Sequence, residues 1–407
     1  MALASSESLL SVVRGREVDR EFLSPAQLNV EKRQSTSAFQ WRGQFTPGLA
    51  DLMLDTYDPG TGIVLDPFVG SGTTLIAAAR RARPSIGIEV NPAAHMLSRT
   101  LELAACSVSE RSQILQTTES IVEEIAASES AVSQLASRAT SDAPESRLLA
   151  AVLLLALRNG ASASSERIWA GWHQVAATVG RMPGDPVACE AVLGDARAIP
   201  LNDKTVGFTL TSPPYINVFN YHQNYRPATE LLGADVLAAA RSEIGSNRKH
   251  RQNRFLTVIQ YAQDMAMAMR ELVRVSMNDA RLVLVVGRES RVRGVPFPNG
   301  ELLSAVIEAV GGFAFERWQE RHFTSRFGER IFEEVLTFRA TGEGVTNVDA
   351  EELGRTVGVE LLTEALASTT DPEVRIDIEN AILGASGVHV SPIANAARVP
   401  IPDTIAS

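Results

Sequence analysis

The apolar run Val206–Leu210 stops abruptly at Thr211-Ser212-Pro213-Pro214-Tyr215. A proline has no N–H to give a strand ladder, so two in succession end pairing and fix the backbone. Their carbonyls, left without competing local bonds, can accept hydrogen bonds from a substrate amino group. Ser212 adds a hydroxyl acceptor and Tyr215 a flat face for stacking. Together these groups suit a planar heterocycle with an exocyclic NH₂.

A second set of residues lies upstream. Asp66-Pro67-Phe68-Val69-Gly70-Ser71-Gly72-Thr73-Thr74 joins a buried strand to a helix, and Glu89 follows Gly70 by 19 positions at the end of a second strand. Gly70 and Gly72 permit a tight turn and close backbone approach to a ligand, and an acid about 20 residues on is placed to hold ribose hydroxyls. The turn lacks the Gly-Lys-Ser/Thr of a phosphate loop and the GxGxxG of a dinucleotide turn. Asp66 would repel a pyrophosphate and welcome an ammonium or sulfonium group. S-adenosylmethionine, which joins a ribose to a cationic amino-acid end, fits better; the plain alternative is a structural strand–helix turn. Asp195, in Gly194-Asp195-Ala196-Arg197, ends a third strand. It reads either as an acceptor for an adenine amino group or as a turn or cap residue.

These residues need a scaffold that brings strand ends to one edge. The spacing predicts strands within 62–70, 85–92, 190–196, 206–215 and 280–289, the first ending in the glycine turn and the second and fourth at prolines, alternating with helices, then two consecutive strands near 313–323 and 330–340. Alternation implies an open α/β sheet, Rossmann-like, seven-stranded and mostly parallel, with one antiparallel strand from the closing hairpin. Residues 97–187 have helical spacing and good helix formers and read as a helical insertion, with Trp169 and Trp172 serving helix packing. The segment 257–275 predicts a long helix with Val258, Tyr261, Met265, Met269, Leu272 and Val273 on one stripe. Weak helices are expected around 349–367 and 373–383.

The chain of 407 residues carries a net charge of −10, unevenly spread. Residues 341–407 hold eleven acids against three arginines, so the remainder is close to neutral and can bind a polyanion on a local basic surface. Cys106 and Cys189 form neither a CxxC nor a metal-ligand pattern, so no disulfide framework and no metal site are expected. No apolar run approaches the ~20 residues of a membrane span, and the start of the chain shows no secretory signal. A cytoplasmic protein without membrane contact is the expectation.

Asp66–Thr74 and Thr211–Tyr215 resemble the cofactor and catalytic motifs of the amino-group DNA methyltransferases, which methylate cytosine N4 or adenine N6. Arg42-Gly-Gln-Phe45-Thr46-Pro47 is similar to that family's N-terminal cofactor-contact segment, and Gly87-Ile-Glu89-Val-Asn91-Pro, Gly194-Asp195-Ala196 and the later strands extend the likeness over roughly 39–340, the helical insertion apart. The resemblance implies a class I methyltransferase fold. It also implies S-adenosylmethionine contacts from Phe45, Thr46, Pro47, Asp66, Pro67, Phe68, Gly70, Ser71, Gly72, Thr73, Thr74, Glu89, Asn91 and Asp195, and a catalytic site at Ser212, Pro213, Pro214 and Tyr215. The serine form of the motif is most typical of cytosine-N4 enzymes; aspartate or asparagine is typical of adenine-N6 enzymes. Cytosine-C5 chemistry is disfavoured, because it needs a thiolate and neither cysteine lies near this turn.

The implied organisation is an N-terminal extension (1–38), a catalytic domain (39–340) with the insertion 97–187 and a DNA-contact region at 216–256, and an acidic extension (341–407). Arg248, Lys249, Arg251 and Arg254 are candidates for phosphates flanking a flipped base, with Asn247, Gln252 and Asn253 near base edges. Residues 288–300 read as a second basic loop. Double-stranded DNA is the expected partner, with a cognate restriction endonuclease or other defence proteins implied by resemblance alone. Adenine-N6 methylation, methylation of an RNA amino group, and a catalytically silent DNA-binding subunit stay open beside the cytosine-N4 reading. Oligomeric state is not readable.

Overall fold

The structure, a computed structural model, describes residues 8–30, 38–39, 41, 44, 46–216, 224–246, 250–324, 328, 330–343 and 349–394. Helices α1 (Leu9–Arg14), α2 (Pro25–Leu28) and α3 (Pro47–Tyr57) come first. Strand and helix then alternate through β1 (Ile63–Asp66), α4 (Thr73–Ala79), β2 (Ser85–Glu89) and α5 (Pro92–Ser98). Helices α6 (Val108–Ala126), α7 (Ala131–Arg138), α8 (Pro144–Ala156) and α9 (Ser165–Gly180) precede β3 (Cys189–Leu193) and β4 (Val206–Thr211). Next come α10 (Arg226–Leu231), α11 (Val236–Ser242), α12 (Leu256–Val275), β5 (Ser276–Gly287), β6 (Glu289–Val292), β7 (Val295–Pro298) and α13 (Asn299–Val310). The long strands β8 (Phe313–Thr324) and β9 (Arg330–Ala340) lead to α14 (Ala350–Ser368) and α15 (Pro372–Leu383).

The seven-stranded sheet has the order β3-β2-β1-β4-β5-β9-β8, and only β9 runs against its neighbours, as the closing pair of strands predicts. The chain divides into two compact units, Lys32–Asp195 with Asn220–Ser242 and Ala394–Ser407, and Met1–Glu31 with Ala196–Phe219 and Glu243–Ile393.

In the first unit β1, β2 and β3 are parallel, with Val64 opposite Ser85 and Ser85 opposite Cys189. Every residue of β1 is buried, the continuous apolar pattern of a strand covered on both faces. Serine and glutamate close a capping box at the start of α6, where Ser107 N–H donates to Glu110 Oε2 at 2.7 Å and Glu110 N–H to Ser107 Oγ at 3.3 Å. Helix α8 is apolar nearly all round and accordingly buried, sharing its core with Ile168, Trp172 and Val175 of α9. Trp172 is the packing residue expected from its spacing, and its Nε1–H donates to Glu119 at 3.3 Å.

In the second unit β4 runs parallel to β5, with Leu210 opposite Val283. Helix α12 is buried on more than the single stripe its spacing suggests: Ile259, Ala262, Gln263 and Ala266 are covered too, whereas Val273 is only half-buried. The reason is α14, which lies so close that a Cβ on Gly354 would meet the Ala262 carbonyl oxygen at 2.4 Å. The acidic segment thus supplies part of this core.

Residues 288–300 are not a loop, contrary to the sequence reading. They form the β6–β7 hairpin, turned at Arg293 and Gly294 with Val292 opposite Val295. Pro296 and Pro298 disguise β7, and a proline is tolerated there because an edge strand can present its missing donor outward. Among the described residues no helix is long and apolar enough to cross a membrane.

Candidate active site

Strand β1 delivers Asp66 to its carboxyl end, where the side chain is 2% exposed. The Thr74 hydroxyl donates to Asp66 Oδ2 at 2.6 Å and the Phe68 N–H to Oδ1 at 3.1 Å, so this carboxylate ties the turn to the first residues of α4. Gly72 caps α4 at φ +94°, and a Cβ there would fall 2.3 Å from Leu101 Cδ1; glycine is required twice over. Ser71 Oγ donates to the Phe39 carbonyl at 3.2 Å, Thr73 accepts a hydrogen bond from Gln44, Pro67 is buried and Phe68 half-buried.

Glu89, at the end of β2, accepts the Gly70 N–H at 2.9 Å and the Asn91 N–H at 2.8 Å. Asn91 itself caps α5, accepting from Ala93 N–H at 3.0 Å, and its Nδ2 is buried without a hydrogen-bond partner among the described residues. The Gly194 N–H donates to the Glu89 carbonyl at 2.9 Å, which brings Asp195 to the same edge. Asp195 is 3% exposed and accepts the Ala394 N–H at 3.1 Å. Thr46 and Pro47 open α3, Thr46 as N-cap without a side-chain cap bond; Phe45 lies outside the described residues.

Two residues near this turn, Trp41 and Tyr225, escaped the sequence reading. The Trp41 ring lies over Gly70, 3.3 Å from where a Cβ would stand, and stacks on Tyr225 with centroids 5.4 Å apart and planes 13° from parallel. A lone tryptophan and a tyrosine 184 positions later carry no local signal of pairing. The chemistry of this half is that of a lysine-free turn organised by two carboxylates, with backbone rather than cationic groups at its apex. That donor set fits a ribose and a cationic amino-acid group and does not fit a polyphosphate.

In the second unit β4 ends on the proline turn. The Tyr261 hydroxyl, from α12, donates to the Pro214 carbonyl at 2.8 Å, and the Gly287 N–H donates to the Tyr215 hydroxyl at 2.9 Å. Burial and the neighbouring Tyr215 hold the Tyr261 phenol far above its ordinary value, so it stays a donor. Ser212 Oγ and the Pro213 carbonyl accept no hydrogen bond among the described residues. One carbonyl of the pair is therefore engaged, while the other stands with the serine hydroxyl as an open acceptor.

Of the basic candidates, Arg251 is exposed and Arg254 half-buried, while Arg248, Lys249 and Asn247 lie outside the described residues. Asn253 is not open to a base edge: its Nδ2 donates to the Asp377 carbonyl at 2.7 Å and its Oδ1 accepts the Phe255 N–H at 3.0 Å. In the β6–β7 segment Arg288 pairs with Glu320, Arg291 with Glu289 and Arg293 with Asp377, so its basic charge is largely met within the unit. Burial pushes the Cys189 thiol up to about 12 and raises Cys106 as well, so neither offers a thiolate at neutral pH.

Residues 9–99 match the N6_N4_Mtase family, described as DNA methylase. The match includes the Asp66–Glu89 half of the site and stops short of the proline turn. The chain is 37% identical over 59 residues to the type II methyltransferase M.ScaI of Streptomyces caespitosus, covering 14% of this chain and 19% of that protein. It is 38% identical over 52 residues to the type II methyltransferase M.MjaII of Methanocaldococcus jannaschii, covering 13% of this chain and 10% of that one. Among solved structures, it aligns with an rRNA methyltransferase, AviRa, of Streptomyces viridochromogenes at 15% identity, a TM-score of 0.34 and coverage of 82% and 97%. A SAM-dependent methyltransferase of Methanosarcina mazei aligns at 13%, 0.33, and 72% and 98%. The family match and these relatives thus liken a short part of the chain to DNA methylases, and the chain spans less than a fifth of the length of either curated relative.

Proposed function

We propose that the protein is an S-adenosylmethionine-dependent DNA methyltransferase acting on the exocyclic N4 amino group of cytosine, in restriction–modification or phage defence. One observation carries the reading: at the end of β4 the Ser212 hydroxyl and the Pro213 carbonyl accept no hydrogen bond among the described residues, while the Pro214 carbonyl is held by Tyr261. The family match and the type II methyltransferase relatives support DNA as substrate.

The target base rotates out of the duplex to reach the turn. Tyr215 stacks on it. Ser212 and the Pro213 carbonyl accept the two amino hydrogens, which draws the nitrogen lone pair out of conjugation with the ring and makes it nucleophilic. When bound, S-adenosylmethionine supplies an activated methyl on a sulfonium. Glu89 would hold its ribose, the Asp66 turn its amino-acid end, and Asp195 its adenine. Much of the acceleration then comes from alignment, since direct transfer requires no covalent enzyme–base adduct. Arg251 and Arg254, with Arg248 and Lys249, serve flanking phosphates. Ser212, in place of aspartate or asparagine, selects cytosine over adenine.

The test is nucleoside mass spectrometry of unmodified DNA incubated with the protein and S-adenosylmethionine. N4-methylcytosine is expected. N6-methyladenine would transfer the reading to the adenine branch of the same chemistry, and an unmodified digest despite cofactor binding would overturn both.

A further inference from the structure

The two prolines of the turn present two carbonyls, yet the transfer needs one carbonyl beside Ser212. Tyr261 decides which. It sits in the second turn of α12, 1% exposed, and its hydroxyl donates to Pro214 O at 2.8 Å. The following residue is pinned as well. Tyr215 receives the Gly287 N–H on its hydroxyl at 2.9 Å, and its carbonyl lies against Gly245, where a Cβ would meet that oxygen at 2.4 Å and Tyr261 Cδ2 at 3.2 Å. Gly245 stands at φ +74°, which a side chain would resist in any case. Strand β5, helix α12 and the segment before the basic stretch therefore each fix one atom of the Pro214–Tyr215 pair.

We propose that Tyr261 is a positioning residue for methyl transfer: by occupying the Pro214 carbonyl it orients the peptide planes of the turn so that the Pro213 carbonyl and Ser212 hydroxyl face the amino group together. This rests on the methyl-transfer reading above. No residue other than a buried, permanently protonated phenol is needed for the task, and α12 supplies it from a position that touches neither base nor cofactor in the proposed scheme. Losing the hydroxyl would free the Pro214 carbonyl to rotate, and a misplacement near 1 Å costs on the order of 100-fold in rate.

The test compares wild type and Tyr261→Phe in single-turnover methylation of unmodified plasmid DNA with isotopically labelled S-adenosylmethionine, alongside cofactor and DNA dissociation constants. The expected result is a single-turnover rate lower by roughly 10- to 100-fold with both dissociation constants within about twofold and cooperative melting retained. Wild-type rates in Tyr261→Phe overturn the proposal, as does weakened cofactor binding that accounts for the whole loss, since that marks a merely structural role. Gly245→Ala, which presses on the Tyr215 carbonyl, is expected to lower the same rate; a normal rate there and in Tyr261→Phe excludes any clamp on the turn. A wild-type protein that methylates no DNA overturns the underlying reading and this one together, and is distinguished by the missing product in the wild-type lane.

Discussion

The Glu89 carboxylate at the end of β2 accepts the Gly70 N–H of the β1–α4 turn at 2.9 Å, with its other oxygen on the Asn91 N–H at 2.8 Å. The acid and the glycine turn are thus one device. Two backbone donors fix the orientation of the carboxylate at the carboxyl edge of the sheet. Glu89→Gln keeps the shape but puts an NH₂ where one backbone donor needs an acceptor. The expected outcome is a dissociation constant for S-adenosylmethionine higher by about 10- to 100-fold, from the ~1.5–3 kcal/mol of a hydrogen bond to a charged group. Isothermal titration calorimetry checks it, and unchanged affinity would remove Glu89 from the cofactor site.

Ser212 carries the amino-group chemistry in the proposed scheme, and among the described residues its hydroxyl makes no hydrogen bond. Ser212→Ala should therefore fold and bind cofactor like wild type while turnover falls by roughly 10-fold or more, the scale of one acceptor lost from a preorganised site. Steady-state methyl incorporation into DNA measures this. Equal turnover would refute the role.

What was legible in the sequence was contiguous. The strand, turn and helix around Asp66 occupy one short stretch, and the proline stop after β4 announces itself because two prolines cannot stay in a ladder. The reversal of β9 follows from two long strands with a short link between them. What escaped was held by distant pairing: Tyr261 lies 47 positions from Pro214, and Trp41 meets Tyr225 only once the chain has folded. Tyr261 looked like one more apolar residue on a helical stripe, and nothing local distinguishes a buried phenol that packs from one that also donates. The β6–β7 hairpin was missed because Pro296 and Pro298 broke the alternation that normally marks a strand.

Arg197 and Asp264 form an ion pair at 2.6 Å with both side chains wholly buried. Each also holds the segment after α15: Arg197 donates to the Ser391 carbonyl at 2.8 Å and the Pro392 carbonyl at 3.0 Å, and Asp264 accepts the Ser391 N–H at 2.9 Å and its hydroxyl at 2.6 Å. Asp264→Ala removes the carboxylate that both the buried Arg197 guanidinium and Ser391 bond. Breaking one side of a buried pair costs about 3–5 kcal/mol, so the urea midpoint should fall accordingly. Replacing both partners with apolar residues of similar volume should cost less than the single change.

Glu334, in β9, is 7% exposed, and its Oε2 has no hydrogen-bond partner among the described residues. Burial pushes its carboxyl up to about 8 from an ordinary 4.5; Arg288 pulls it down, Glu320 and Glu301 push it up, and the Gly300 N–H pulls it down. The folded protein therefore keeps a proton that the unfolded chain releases. Below pH ~4.5 both states are protonated and the group is neutral in the balance. As pH rises from there toward 8 the unfolded state loses its proton first, so stability falls with pH across that window and levels off above it. Glu334→Gln carries the neutral form permanently. It should leave stability near pH 4.5 little changed, and at pH 8 raise it by an amount on the order of a few kcal/mol. Urea titrations at pH 5, 6.5 and 8 measure the slope; parallel curves for the two proteins would show that Glu334 is ionised in the folded state after all.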